Sequence, residues 1–270
     1  MPDLKPASQA ERSDPIAPFC WPHGRRCAVS LTYDDALPLH YKYVGPALEG
    51  HGLRGTFYLK IAGDPMQNSA PWRELSTRGH ELGNHTLFHP CRRYPPGRHP
   101  WLDKAFDLRD YTPRRLQLEL RVANAFLHLL DGKNERTFAC TCFDTFIGRR
   151  WKRRHIRDLI SDDFIAARGA RSDHTTIVSP SLDLMNLGSY LADGRTFSDL
   201  RDEVCATQEQ GGWLILVIHG IGPGTHSLFV ETDVHEQLLS WLASQRQIWV
   251  KPLIEVANWV REWQQGRRSI

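Results

Sequence analysis

The segment WLILVIHG, residues 213–220, constrains this chain most. Five apolar residues in a row, Leu214 to Ile218, show no alternation, so a strand here must be covered on both faces. Other short apolar runs follow the same plan: RCAVSLTY (26–33), LRGTFYL (53–59), HELGNH (80–85), RTFACTCF (136–143) and DFIAARG (163–169). Amphipathic stretches lie between them. TPRRLQLELRVANAFLHLLDG (112–132) is the clearest helix, with Thr112 as its cap and Pro113 in its first position. Leu116, Leu120, Ala123 and Leu127 recur there at helical spacing. LHYKYVGPALEGHG (39–52), broken near Pro46, PWRELSTRG (71–79) and VHEQLLSWLASQ (234–245) are further helices, and IWVKPLIEVANWVREWQ (248–264) is a strand followed by a last helix.

Strands alternating with helices make a mostly parallel α/β sheet. Six or seven strands over about 240 residues suit a distorted, incomplete (β/α) barrel in one domain. A flat doubly wound sheet is the alternative, but no GxGxxG follows the first strand. The first 15 residues, rich in Pro, Ser and charge, read as a flexible arm, leaving 16–270 as the domain. The start lacks the apolar core of a signal peptide, so a cytoplasmic location is expected. No apolar run spans a bilayer, and a net charge of +3 is too small to argue for a nucleic-acid partner, so none is expected.

Three strand ends carry chemistry: LTYDD (31–35), GNHTLFHP (83–90) and LVIHG (216–220). Barrels place their active sites at the C-terminal strand ends. His85 and His89, four apart, share a face if the turn is helical and can converge on one ion. Two imidazoles and one carboxylate suit Zn²⁺ with open positions, as in a catalytic site. One of Asp34 and Asp35 would ligate; the other would take a proton from water. The plainer alternatives are an acidic turn or cap for the two aspartates, and a packed core group for His219. Gly220, Gly222 and Gly224 would form a turned rim beside His219.

These motifs resemble the metal-dependent polysaccharide deacetylases with a NodB-homology domain (carbohydrate esterase family four). The resemblance spans about residues 20–262 and implies a distorted (β/α)7 barrel. It also implies hydrolysis of an acetyl group from a sugar amine or hydroxyl. By this resemblance Asp34 is the catalytic base, Asp35, His85 and His89 are the metal ligands, and His219 is the catalytic acid. The metal is Zn²⁺, with Co²⁺ or Ni²⁺ as substitutes, and the partner is an acetylated saccharide or glycoconjugate. Branches of the family that cleave formamides or cyclic amides supply a second reading, and a binding protein without catalysis a third.

Two departures stand out. Ala36 occupies a position where the family usually has Gly. The family's Arg-x-Pro-(Tyr/Phe)-Gly stretch is replaced by FACTCFDTF (138–146), without its Arg or Pro. Arg168, at another strand end, is the candidate replacement cation, with a surface ion pair as the alternative. No residue stands out as the Asp that tunes the catalytic His.

Arg168, Trp101 and Cys142 are the candidate substrate contacts. Trp213, Trp241, Trp249 and Trp259 fall in periodic apolar segments and are expected in the core. Six cysteines include no CxxC, and Cys140 and Cys142 are expected on one strand face as reduced core thiols. RRWKRRHIRD (149–158), with six Arg or Lys, reads as a solvated helix face.

Overall fold

The computed structural model describes residues 18–172 and 175–266, so the amino-terminal arm expected over 1–15 lies outside the described residues. Seven parallel strands close on themselves: β1 (Cys27–Tyr33), β2 (Thr56–Leu59), β3 (Glu81–Asn84), β4 (Thr137–Ala139), β5 (Ala166–Arg171), β6 (Leu187–Leu191) and β7 (Trp213–Ile218). The closing pair is β1 with β7, in register from Ala28 opposite Trp213 to Tyr33 opposite Ile218. On its other side β1 meets β2 only at Thr32 and Tyr33. An eighth strand, β8 (Ile248–Val250), fills the gap beside Cys27–Val29. The barrel is therefore distorted, with β1 touching three neighbours.

The alternation of β1 sorts its side chains. Cys27, Val29, Leu31 and Tyr33 join an apolar cluster with residues of two outer helices, Phe197–Gln210 and Thr232–Ser244. Ser30 and Thr32 face the other way and take polar partners, Trp213 Nε1 and the Arg168 guanidinium. Asp34 continues this inward parity.

The helix Pro113–Asp131 has the expected ends. Thr112 accepts from Arg115 N, and Gly132 closes the helix at φ 70°. Trp213 is buried, and Trp241, Trp249 and Trp259 pack against the core clusters.

Three expectations fail. The strand over 136–143 ends at Ala139, and Cys142 sits in a tight turn at φ 53°. Cys142 is not a reduced core thiol but is disulfide-bonded to Cys91. The basic stretch 149–158 is not a helix. It is the tip and return of a short antiparallel pair, Phe146–Ile147 with Arg154–His155, with one 3-10 turn at Arg150–Lys152 and an α-helical turn that begins only at Arg157. β6 (LGSYL) was not expected at all; its Gly and Ser break the apolar run by which strands are read. The helix after it, Phe197–Gln210, begins with a capping box between Thr196 and Asp199.

At the N-terminal end of the barrel, the buried Glu81 ties strands together. It accepts from Thr56 Oγ1 at 2.7 Å, from Thr137 Oγ1, and from Ile254 N of the last helix at 2.9 Å. Glu81→Ala would strand three donors at about 1 kcal/mol or more each, so a loss of about 3 kcal/mol is expected. Urea unfolding of the variant would show it as a lower midpoint at unchanged slope; a wild-type midpoint would contradict this account.

Candidate active site

The strand ends meet at the mouth of a cavity of about 560 Å³, lined by Asp34, Asp35, Lys60, His85, His89, Trp101, Cys142 and His219 among others. Asp34 points in by strand parity, with its N–H donated to Ile218 O at 2.9 Å. By the same parity Asp35 would point out. Instead Asp35 (φ 76°) and Ala36 (φ 55°) both enter the left-handed region, and the chain turns Asp35 back into the site. An L residue there costs roughly 1–2 kcal/mol. This explains what a glycine would do at position 36.

Thr86 (φ 70°) and His89 (φ 58°) bend the second motif likewise. Asn84 holds this turn. Its Oδ1 accepts from Thr86 N at 2.7 Å, and its Nδ2 donates to Leu120 O and Asn124 Oδ1 on the long helix. So the two histidines converge through a strained turn rather than along a helical face. His85 donates Nδ1–H to Ala139 O at 3.0 Å, and His89 Nδ1 lies 3.6 Å from Cys91 Sγ. Each arrangement leaves Nε2 as the free lone pair.

Those two nitrogens face one carboxylate oxygen. Asp35 Oδ1 is 3.1 Å from His89 Nε2 and 3.7 Å from His85 Nε2. Ligands about 2.0–2.2 Å from a tetrahedral ion lie about 3.3 Å from one another, so the spacing fits Zn²⁺. Asp35 Oδ1 is buried and has no hydrogen-bond partner of its own, as expected of a ligand atom. Burial pushes the His85 imidazolium down to about 4, which keeps the ring neutral and able to ligate.

Arg168 is not a surface group. It is 2% exposed, and its guanidinium binds Asp34 Oδ2 and donates to Thr32 Oγ1 at 3.1 Å. Burial alone would raise the Asp34 carboxyl. The charge of Arg168, helped by His85 and His219, outweighs it and brings the net direction below the ordinary value. Arg168, expected as a substrate contact, is not among the residues lining the cavity; it sits behind Asp34. Asp34 Oδ1 remains buried and unpartnered.

On the opposite side, His219 donates Nδ1–H to Asp193 Oδ2 at 2.6 Å, while its N–H donates to Asp193 Oδ1 at 3.0 Å. Burial pulls the imidazolium down, but the Asp193 hydrogen bond, with the negative charges around it, carries it up to about 9. Asp193 follows β6, the strand without a readable pattern, which is why the sequence did not reveal it. His226 was also unforeseen. Its ring stacks on His219 with centroids 5.2 Å apart, and its Nε2 lies 3.6 Å from Asp35 Oδ2.

Trp101 is 62% exposed at the rim, with its ring 5.9 Å from that of His89. Cys142 lines the cavity as half of the disulfide.

Residues 22–142 match the model of a family described as polysaccharide deacetylase. A gellan lyase from Bacillus sp. is 24% identical over 255 residues, 85% of this chain; the chain spans only 9% of that enzyme. A solved structure assigned to the polysaccharide deacetylases, from Mycobacterium smegmatis, has a TM-score of 0.62 at 17% identity, covering 95% of this chain and 98% of that one. A family 4 acetyl xylan esterase from Clostridium thermocellum, solved with a cobalt ion, has a TM-score of 0.54 at 16% identity, covering 86% and 90%. At such identities the structural likeness concerns the fold, and the shared fold is the distorted seven-stranded barrel.

The Asp34–Arg168 pair yields a test independent of activity. A depressed carboxyl contributes stability above its unfolded value near 3.9, and that contribution is lost as pH falls through the lower folded value. Arg168→Met leaves a buried carboxylate unpaired, which costs about 3–5 kcal/mol. Without Arg168, burial should raise the Asp34 carboxyl above its ordinary value, so the deficit should be larger at pH 7 than at pH 4 and should begin to shrink above pH 4, as Asp34 protonates in the variant. Denaturant titrations at both pH values check this; a deficit unchanged by pH would contradict it.

Proposed function

We propose that this chain, a member of the polysaccharide deacetylase family by its residues 22–142, is a metal-dependent hydrolase that removes an acetyl group from an acetylated saccharide. The observation that carries the reading is the convergence of Asp35, His85 and His89, whose ligand atoms lie within 4.8 Å of one another. A second, separately held carboxylate stands beside them. Asp35, His85 and His89 would hold the ion, and the borderline donor set favours Zn²⁺, with Co²⁺ or Ni²⁺ as substitutes. When bound, a divalent ion supplies a Lewis acid that polarises the acyl carbonyl and acidifies water.

The remaining steps belong to the side chains. Arg168 occupies one oxygen of Asp34 and keeps the carboxyl ionised, so the unpartnered Oδ1 can take the proton of the attacking water. His219 has Nδ1 committed to Asp193, so Nε2 is the atom that gives a proton to the departing amine or alkoxide. A His219 imidazolium that persists to about pH 9 is a sound general acid at neutrality. Trp101 at the rim offers a flat face to a sugar ring.

The match to a polysaccharide-active relative supports a saccharide substrate. The Cys91–Cys142 bond suits an oxidising compartment, so the reading does not keep the cytoplasmic placement. No helix among the described residues is long and apolar enough to cross a membrane.

Acetate release from acetylated saccharides should be abolished by chelation and restored by Zn²⁺ or Co²⁺. His85→Ala should lose both the bound ion and turnover. Formamides and cyclic amides assayed in parallel should be poorer substrates; if one of them is preferred, the acetyl reading is wrong. Turnover that survives complete metal removal would defeat the metal-dependent mechanism.

The pH profile tests His219. Its raised value means that the acid form, and the stability it brings, is complete below the ordinary 6.5 and is lost as pH rises through about 9. The descending limb of kcat/KM should therefore lie near 9 in the wild type. Asp193→Asn should move that limb toward lower pH; an unmoved limb would exclude His219 as the acid.

A further inference from the structure

Two segments that form the cavity wall are joined by a covalent bond. Cys91 is two residues beyond His89, and Cys142 lies in the turn after β4. The rest of the junction is polar and close. Thr141 Oγ1 donates to Pro90 O, Arg92 N donates to Asp144 Oδ2 at 2.7 Å, and Arg98 donates to Asp144 Oδ1 at 2.7 Å and to Cys142 O at 3.2 Å. Cys91 is pinned on its backbone too, through its N–H to Phe106 O and its carbonyl to Leu108 N. Cleavage of the disulfide would leave these bonds, and the barrel, in place.

What cleavage would change is the environment of His89. A disulfide sulfur can only accept, so Cys91 Sγ, 3.6 Å from His89 Nδ1, favours the tautomer with the proton on Nδ1. That tautomer presents the Nε2 lone pair toward Asp35 Oδ1, 3.1 Å away. A free thiol can also donate, and it can rotate away once its partner is gone. Either change leaves the tautomer and tilt of His89 undefined.

We infer that the Cys91–Cys142 disulfide is a positioning device for His89, and that reducing it weakens divalent-ion binding at the site. The inference rests on the reading of Asp35, His85 and His89 as ion ligands. The reduction is an ordinary exchange with a dithiol. One thiolate of the reductant attacks Cys142 Sγ, which lines the cavity, and Cys91 leaves as the thiolate. The second thiol of the reductant then closes its own disulfide. Two electrons pass to the protein, and the two reductant protons end on Cys91 and Cys142.

The test is ion affinity in the full chain, measured by Co²⁺ and Zn²⁺ titration in a competing chelator. Oxidised protein is compared with protein reduced by dithiothreitol and freed of reductant under nitrogen. Thiol counts in denaturant should read four and six. Partners behind a metal-bound histidine are worth about 10–100-fold in affinity, so reduced protein should bind at least tenfold more weakly at a temperature where its circular dichroism spectrum in chelator still matches that of the oxidised protein. Cys142→Ser should bind as weakly without reductant, and so should Cys142→Ala. Equal affinity before and after reduction would overturn the inference. So would a second ion bound only by the reduced protein, which would make Cys91, Cys142 and His99 ligands. Oxidised wild-type protein that binds no ion would instead overturn the ligand reading itself.

Discussion

The pairing of the first barrel strand with the seventh is the constraint on which the rest depends. Six residue pairs in register, from Ala28–Trp213 to Tyr33–Ile218, close the barrel. They also set Asp34 and His219 at adjacent strand ends, with the Asp34 N–H bound to Ile218 O. A slip of one residue would turn every side chain of that strand to the opposite face. Thr32 and Asp34 would then leave the interior, and Arg168 would lose both partners. The base and acid candidates are thus placed by sheet register before any loop contributes.

The site built on that frame is an exercise in compensated burial. Asp34 and His219 are both taken from water, and burial disfavours the charged form of each. Each is returned to its charged form by a partner from another strand end: Arg168 for Asp34, and Asp193 for His219. His85, in the turn after β3, is treated differently. His85 is kept neutral by burial, and its N–H is spent on the Ala139 carbonyl. Charged where protons move and neutral where an ion would be held is the division that the mechanism needs. The left-handed residues Asp35, Ala36, Thr86 and His89 hold the ligand atoms where regular strand or helix geometry would not.

Much of this was legible in the sequence. Uninterrupted apolar runs gave the parallel α/β class, and polar residues at the ends of three of them marked the site. What the sequence hid has physical causes. Asp193 follows a strand, LGSYL, with too little apolar continuity to be read as one. The spacing of Cys140 and Cys142 predicts a shared strand face, but the chain leaves the sheet at Ala139 and the parity rule lapses. The basic run over 149–158 has helical composition, yet a left-handed residue at Arg150 turns it into a hairpin tip, leaving Trp151 80% exposed. The disulfide partner of Cys142 lies 51 residues away, a pairing that spacing alone cannot supply.

The central claim is that Asp35, His85 and His89 hold one ion while Asp34 stays free to move a proton. A crystal of the oxidised protein grown with Zn²⁺ and measured at the zinc absorption edge tests it most directly. One anomalous peak is expected, about 2.0–2.2 Å from a carboxylate oxygen of Asp35 and from Nε2 of His85 and His89. Asp34 should remain on Arg168, outside the coordination sphere. A peak ligated by Asp34, or one seated only at His99 and Asp144, would contradict the account.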